Sequence, residues 1–246
     1  MKKISWFMLP HPDPQATTRL FCFPYAGGGV SAFRLWPGEM LPGIELCLVQ
    51  YPGRENRLHE APMTRLSELV DALIPLITPL LDRPFAFFGH SLGALVAFEL
   101  ARELQRRAQL SPIYFFASGG CAPQLPARKP PIHSLPREEF IAGLSEFNGT
   151  PEVIWRNKEL VELLLPMLRA DMSILETYTY LPSPPLTCPI LATGGLQDTV
   201  VQPEELYAWR EQTSRFFSVQ MFPGDHFFLQ SSWKPLLEVI SRTLSL

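Results

Sequence analysis

The sequence predicts an α/β fold with a mostly parallel central sheet and helices on both of its faces. Short apolar runs typical of buried strands recur along the 246 residues, and helical patterns separate them. The runs predicted as strands are 19–23, 44–49, 85–88, 113–117, 190–193 and 216–222. Helical patterns at 66–81 and 92–107 lie between them, and this alternation is typical of βαβ units.

The composition and charge of the chain exclude several classes of protein. A formal net charge of −3 and a pI of about 6.0 indicate no broad basic surface, so we do not expect nucleic acid as a partner. The four cysteines are far apart, lie in or beside apolar runs and form no Cys-x-x-Cys pair: Cys22, Cys47, Cys121 and Cys188. We expect buried thiols in a reducing compartment, with no disulfide and no metal site.

The N-terminal segment lacks the features of a secretory signal. An apolar stretch follows Lys3 but stops at Pro10, and no small-residue cleavage site follows it. No run approaches the roughly 18 apolar residues of a membrane helix. We therefore expect a cytoplasmic protein with no membrane partner, and we expect it to be a monomer.

A long connection interrupts the alternation of strands and helices. The segment between Gly119 and Leu186 is too long for a structureless loop in a compact domain, and its two ends are rich in proline. Helical patterns at 137–147 and 159–178 lie inside it, and Pro166 is expected to kink the second. The predicted division is a helical lid insertion, residues 123–186, and a core made of residues 1–122 and 187–246.

The pentapeptide Gly89-His90-Ser91-Leu92-Gly93 carries the strongest chemical signal. It follows an apolar strand and precedes an amphipathic helix, which is the arrangement of the nucleophile elbow in the α/β-hydrolase fold. The elbow is so tight that the neighbours of its serine must be small, and Gly89 and Gly93 meet that demand. The pattern predicts Ser91 as the nucleophile of a serine hydrolase or acyl transferase.

Two further residues follow Ser91 in the order that this fold requires, an acid and then a histidine. His226 comes after the last predicted strand, in a loop where Gly224 supports a sharp turn back towards the elbow. Asp198 follows the strand at 190–193 and can fix the tautomer of the histidine ring. We predict His226 as the base and Asp198 as its acid partner.

The other histidines and acids are less well placed. Asp225 is the immediate neighbour of His226 and is poorly placed to reach its ring, and Asp171 lies on the predicted lid, where a structural ion pair is expected. His90 is expected to point away from Ser91 and pack against neighbouring strands. Expected solvated or surface histidines are His11, His59 and His133.

An oxyanion hole needs two backbone N–H groups. Leu92, the residue after the nucleophile, is expected to supply one. The glycine-rich loop at 23–29 follows an early strand, and Ala26 within it is our candidate for the other. A flexible turn or a phosphate loop is the alternative for that loop, although the Gly-Lys-Ser/Thr of a Walker motif is missing.

With these segments in place, the chain resembles type II thioesterases, the stand-alone editing enzymes of polyketide and nonribosomal peptide assembly lines. The triad of that family maps onto Ser91, Asp198 and His226, whereas Tyr51 stands where the family more usually has leucine. The matching segments run nearly end to end, at 23–29, 33–36, 50–55, 89–93, 97–101, 118–119, 165–171, 194–195 and 223–228.

The resemblance implies a substrate, an acyl group on the phosphopantetheine arm of an acyl or peptidyl carrier protein. It also implies an acyl-Ser91 intermediate, removal of stalled or misprimed acyl units in antibiotic biosynthesis, and no cofactor or metal of the enzyme's own. Three alternatives stay open at this point. They are a medium-chain acyl-carrier-protein thioesterase that ends fatty-acid synthesis, a general small-molecule esterase, and a noncatalytic binding protein on the same scaffold.

Two sets of side chains have competing interpretations. One set in the predicted lid either lines an acyl channel or packs the helices together: Phe147, Met167, Met172 and Leu175. The other set is basic and either guides docking of an acidic carrier protein or is simply solvated: Arg54, Arg57, Arg128 and Lys129.

Overall fold

The central feature of the fold is a seven-stranded sheet. A computed structural model describes residues 6–147 and 156–245. The strands are β1 Phe7–Met8, β2 Thr18–Phe23, β3 Ile44–Val49, β4 Phe85–His90, β5 Tyr114–Ser118, β6 Ile190–Gly195 and β7 Phe217–Phe222. They lie in the order β1-β3-β2-β4-β5-β6-β7, and every neighbouring pair is parallel except β1 with β3. The predicted mostly parallel sheet is confirmed, while β1, a two-residue edge strand, was not predicted.

Seven α-helices lie within the described residues, of which the first four correspond to predicted helical patterns and the last three were not predicted. Their bounds are α1 Leu66–Ile77, α2 Leu92–Ala108, α3 Arg137–Ser145, α4 Lys158–Glu176, α5 Pro203–Tyr207, α6 Phe228–Ser231 and α7 Trp233–Leu244. The prediction of one helix over 66–81 was wrong at its end, because α1 stops at Ile77 and a 3-10 turn, Thr78–Leu80, follows. Pro79 lacks the N–H that would continue the α-helical bonding.

Both faces of the sheet are covered. Alternate residues of β2 and β4 point to opposite faces, as strand geometry dictates. Phe21 and Phe87 lie in one core with residues of α1 and α2, whereas Cys22 and Phe88 lie in a second core with residues of α7. The helices therefore sandwich the strands, and the carboxyl ends of β4, β5 and β6 meet at one edge of the sheet.

The cysteines are placed as buried thiols. Cys22, Cys47 and Cys188 are buried and Cys121 is half-buried, and all four are free. Burial raises the pKa of the Cys47 and Cys188 thiols to about 12. These thiols are therefore protonated at neutral pH and behave as small apolar side chains.

The long insertion contributes helices α3 and α4, which pack on each other around a small core of their own. The buried members of that core are Phe140, Leu144, Val161, Leu165, Met167, Leu168 and Met172. Helix α4 runs without interruption through Pro166. The domain boundaries at 123–186 stay a prediction.

The described helices also bear on whether the chain could cross a membrane. Within residues 6–147 and 156–245, none of them combines the length and the apolar character that crossing a bilayer requires.

Candidate active site

The nucleophile elbow joins the end of β4 to the start of α2. Ser91 lies between the two elements with φ 53° and ψ −114°, a backbone conformation that is strained for a residue with a Cβ. Its N–H donates to the Ser118 carbonyl at 2.8 Å. A Cβ on Gly89 would collide with the Gly93 carbonyl, and one on Gly93 would collide with the Phe23 carbonyl. The two glycines are therefore required by the close approach of helix and sheet.

Asp198 and His226 form a buried hydrogen-bonded pair. Asp198 Oδ2 accepts from His226 Nδ1 at 2.8 Å, and their side chains are 1% and 6% exposed. The other carboxylate oxygen, Oδ1, accepts the N–H groups of Val200 at 2.7 Å and Val201 at 3.0 Å. These bonds fix the carboxylate so that Oδ2 faces the ring.

The environment of Asp198 keeps its carboxyl ionised. Burial opposes ionisation, but the hydrogen bond and positive charge of His226 and the two backbone N–H groups outweigh it and hold the pKa of Asp198 below its usual value of 3.8. An ionised Asp198 stabilises a protonated His226 ring. Because Nδ1 is engaged, Nε2 is the ring nitrogen that remains for a proton transfer.

His90 connects the elbow to the loop that carries His226. Its ring is fully buried, with Nε2 2.9 Å from the His226 carbonyl and Nδ1 2.9 Å from Ser118 Oγ. Since a carbonyl oxygen only accepts, Nε2 carries the hydrogen and the Ser118 hydroxyl donates to Nδ1. Burial and the nearby His226 lower the pKa of His90 to about 3, so its ring is neutral. The packing against β5 was predicted, but the bond to His226 was not.

The structure brings the three predicted triad residues to one edge of the sheet. Asp198 and His226 are joined directly, and Ser91 follows His90, which bonds to the His226 backbone. Within the described parts of the chain, no hydrogen bond links Ser91 Oγ to the His226 ring; such bonds are often loose in the absence of substrate. The rival carboxylate, Asp225, instead accepts the Phe227 N–H at 2.8 Å.

The N–H groups of Leu92 and Ala26 are the two predicted for an oxyanion hole. Leu92 is the first residue of α2, so no carbonyl one turn earlier accepts from its N–H. In the glycine-rich loop, Gly27 donates to Asp171 Oδ2 at 2.7 Å and Gly28 donates to the Tyr25 carbonyl at 2.9 Å. Both of these glycine N–H groups are therefore engaged, whereas no acceptor is found for the Ala26 N–H among the residues that the structure describes. The assignment of Ala26 to the oxyanion hole stays a prediction.

Two of the basic residues considered for docking, Arg54 and Arg57, are buried. Neither a docking role nor a solvated position is therefore correct for them. Arg54 forms a bidentate ion pair with Asp171, and the structural ion pair predicted for Asp171 is thus confirmed. Arg57 pairs with Glu60 at 2.5 Å, and its guanidinium lies 4.0 Å from the centre of the Trp6 ring. Each arginine has its partners inside the protein and does not face solvent.

The other two basic residues lie on the surface. Arg128 pairs with Glu205 at 2.7 Å and also donates to the Val200 carbonyl, and Lys129 pairs with Glu146 at 2.8 Å. A docking role for Arg128 and Lys129 stays a prediction.

The remaining histidines lie away from the site. His11 and His59 are exposed as predicted. His133 is half-buried, with 25% of its side chain exposed, and is therefore only partly solvated. Glu176 of α4 accepts a hydrogen bond from its Nδ1 at 2.7 Å and another from its backbone N–H at 2.8 Å. This contact fastens the end of α4 to the segment that enters the insertion.

The lid side chains considered for an acyl channel pack between helices. Met167 and Met172 belong to the small core of α3 and α4, and Phe147 and Leu175 pack against it.

A groove of about 790 Å³ runs between α1, α2 and the end of α4, and none of Ser91, Asp198 and His226 lines it. No group of three histidine, cysteine or acidic side chains converges as a metal ion would require in the part of the chain that the structure describes.

Comparison with known proteins agrees with this architecture. The fold is that of the α/β-hydrolases. A model of the thioesterase domain matches residues 18–244, so the chain belongs to the thioesterase family and is a thioester hydrolase.

Individual relatives cover nearly the whole chain. The gramicidin S biosynthesis protein GrsT of Aneurinibacillus migulanus is 47% identical over 98% of this chain and 94% of its own. The structure of the type II thioesterase BorB, from the borrelidin biosynthetic cluster, has a TM-score of 0.87 at 36% identity and covers 96% of both chains. That of YbtT, a type II thioesterase from the yersiniabactin NRPS/PKS pathway, has a TM-score of 0.87 at 33% identity and covers 97% of both chains.

Proposed function

We propose that this protein is a type II thioesterase that hydrolyses acyl groups from the phosphopantetheine arm of acyl or peptidyl carrier proteins. Its role is to clear stalled or misprimed acyl units during polyketide or nonribosomal peptide biosynthesis. The single observation that carries the catalytic assignment is the buried Asp198–His226 pair at the edge of the sheet where Ser91 occupies a strained elbow. Membership of the thioesterase family supports the choice of substrate.

The proposed reaction has two halves. In the first, His226 Nε2 takes the proton of Ser91 Oγ as that oxygen attacks the thioester carbonyl. The N–H groups of Leu92 and Ala26 hold the resulting oxyanion, and the carbon–sulfur bond breaks as His226 returns the proton to the phosphopantetheine thiol. The products of this half are acyl-Ser91 and a free carrier protein.

Water completes the cycle. His226 removes a proton from the water as it attacks the acyl-Ser91 carbonyl, and the same two N–H groups hold the second oxyanion. Ser91 then leaves with the proton from His226, and the acid is released. Asp198, held ionised, stabilises the imidazolium in both halves.

The proposal extends to the setting of the enzyme. No cofactor takes part, since phosphopantetheine arrives on the substrate. We propose a cytoplasmic monomer whose partner is a carrier protein and which needs neither nucleic acid nor membrane. The net charge of −3 supports the exclusion of nucleic acid.

The test compares acyl groups of different length on a holo carrier protein, followed by intact mass. Matching acyl-pantetheine thioesters and a nitrophenyl ester run in parallel. Each substrate is also given to Ser91→Ala and to Ser67→Ala, a matched control on the exposed surface of α1. We expect fast release of short acyl groups from the carrier by wild type and Ser67→Ala, and none by Ser91→Ala.

Other outcomes separate the alternatives. Release chiefly of medium or long chains would replace the editing role by chain termination in fatty-acid synthesis. Turnover of the nitrophenyl ester alone would mean a general esterase and contradict the carrier-protein proposal. Turnover that persists in Ser91→Ala would overturn the assignment of the nucleophile.

A further inference from the structure

The turn that carries Ala26 has a defined shape. Gly28 N–H donates to the Tyr25 carbonyl at 2.9 Å, and Gly27 has φ +80°, the combination of a type II β-turn. Type I and type II turns differ in which way the peptide between the two central residues faces. Here the N–H of that peptide, at Gly27, donates to Asp171 Oδ2 at 2.7 Å. Asp171 therefore selects the type II form.

Arg54 holds the same turn from its other side. Its Nη1 donates to Asp171 Oδ2 at 2.8 Å and to the Gly28 carbonyl at 3.0 Å, and its Nη2 donates to Asp171 Oδ1 at 2.7 Å. Asp171 is 1% exposed and Arg54 is 4% exposed. Bidentate charged bonds of this kind are strong and directional, and breaking a buried pair leaves an uncompensated charge.

Asp171 is part of α4, so this contact also joins the insertion to the turn. Leu168, one turn earlier on α4, packs directly on the turn, and a Cβ at Gly27 would lie 2.7 Å from Leu168 Cδ2. The glycine thus allows the close approach of helix and turn. Asp171 holds the Gly27 N–H, which is the next N–H after that of Ala26, and Arg54 holds the Gly28 carbonyl. These contacts fix the position of the turn as a whole, and a displacement of the turn would move the Ala26 N–H with it.

We propose that Asp171, with Arg54, is a positioning residue for oxyanion stabilisation, and that the packing of α4 on the glycine turn holds the oxyanion hole in place. The inference rests on the proposed function, which assigns the Ala26 N–H to the oxyanion. Asp171 touches no reacting atom; it acts through the turn. The insertion thereby contributes to catalysis even though it supplies no member of the triad.

The test uses Asp171→Asn in the full-length enzyme with an acyl-pantetheine thioester. An asparagine of the same size still reaches the turn but loses the ion pair with Arg54. We expect kcat to fall on the order of 10²-fold with KM close to unchanged, because only transition-state stabilisation is lost. An acyl trifluoromethyl ketone, which forms an oxyanion adduct with Ser91, should lose affinity by the same factor. An acyl thioether of the same chain, which forms none, should bind as before.

The matched control is Glu176→Gln on the same helix. Glu176 also fastens α4 by hydrogen bonds, to Ile132 and His133, but it makes no contact with the turn. We expect this variant to keep the wild-type kcat and ketone affinity, even where its melting temperature drops. If Asp171→Asn does not fold, Arg54→Lys replaces it, since lysine keeps the charge but not the forked geometry, and the same pattern at smaller magnitude is expected.

The outcomes separate this inference from the proposed function. A wild-type kcat and ketone affinity in folded Asp171→Asn, or in folded Arg54→Lys where only that variant folds, would overturn the positioning role. So would a fall in ketone and thioether affinity together, or equal losses in Glu176→Gln, since both indicate general loosening. Wild-type turnover that depends on Ser91 would leave the proposed function standing in each of these cases.

Discussion

Asp198 shows how a single carboxylate prepares the proposed base. Oδ1 accepts from two backbone N–H groups, so only Oδ2 is left for His226. In Asp198→Asn the amide oxygen would keep the place of Oδ1, and the NH2 group would face His226 Nδ1. Nδ1 would then have to accept a hydrogen bond instead of donating one. We expect kcat to fall about 10⁴-fold, the size of the effect when a triad acid is amidated. Asp225→Asn, in the His226 loop, should stay near wild type in steady-state assays. A small loss in Asp198→Asn, or a large one in Asp225→Asn, would reverse the assignment.

His90 makes stability depend on pH in a predictable direction. Burial lowers the pKa of His90 from 6.5 to about 3, so between these values the unfolded chain binds a proton that the folded protein does not. The contribution of His90 therefore lowers the free energy of unfolding by about 1.4 kcal/mol for each pH unit as the pH falls from 6.5 to about 3. The free energy of unfolding is measured by urea titration at several pH values and plotted against pH. The slope of this plot should be shallower by about that amount in His90→Gln, whereas the exposed-loop variant His59→Gln should keep the wild-type slope. Equal slopes in all three proteins would disprove a buried neutral His90.

Tyr51 carries a buried hydroxyl that has no hydrogen-bond partner among the residues that the structure describes. An unpaired buried hydroxyl costs about 1–3 kcal/mol, so we expect Tyr51→Phe to raise the free energy of unfolding by about 1 kcal/mol. Tyr178→Phe is the contrasting variant, because the Tyr178 hydroxyl donates to Glu99 at 2.7 Å and its loss should lower stability. Destabilisation by Tyr51→Phe in denaturant titrations would indicate a partner for this hydroxyl.

At the scale of elements, the elbow depends on the approach of α2 to the sheet. A methyl group at Gly93 meets the Phe23 carbonyl of β2, which is backbone and cannot turn aside, so we expect Gly93→Ala to lower the melting temperature sharply or to prevent soluble expression. Gly143→Ala in α3 is a milder comparison, since its methyl meets only the flexible side chain of Ile132 at 3.1 Å. A Gly93→Ala protein with wild-type stability and activity would contradict the close packing at the elbow.

The elements that the sequence predicted well are those with a local signal. The six longer strands and the elbow have apolar runs or glycines in adjacent positions, and the order of Ser91, Asp198 and His226 follows the sheet. Arg54 was misjudged because its burial depends on Asp171, which lies 117 residues away in sequence. The bond between His90 and the His226 carbonyl escaped prediction for the same reason, since it joins the end of β4 to a loop 136 residues away in sequence. A single sequence shows residue types and spacing, but not such distant pairs.

At the scale of the whole molecule, the insertion is fastened to both sides of the proposed site. Asp171 of α4 accepts a hydrogen bond from the glycine turn, at Gly27. Arg128, where the insertion begins, donates to the Val200 carbonyl beside the Asp198 loop. The sheet, through β4, β6 and β7, presents the three triad candidates at one edge. Catalysis is thus expected to depend on the insertion as well as on the strands that carry the reacting groups.

The central claim is that carrier-bound acyl groups pass through an ester on Ser91. The most direct measurement is rapid acid quench of the enzyme with an acylated carrier protein, followed by peptide mass mapping. We predict a transient acyl mass on the peptide that contains Ser91, appearing as the carrier loses its acyl group and decaying as free acid forms. An acyl group on any other residue, or loss of acyl from the carrier at the wild-type rate in Ser91→Ala, would contradict it.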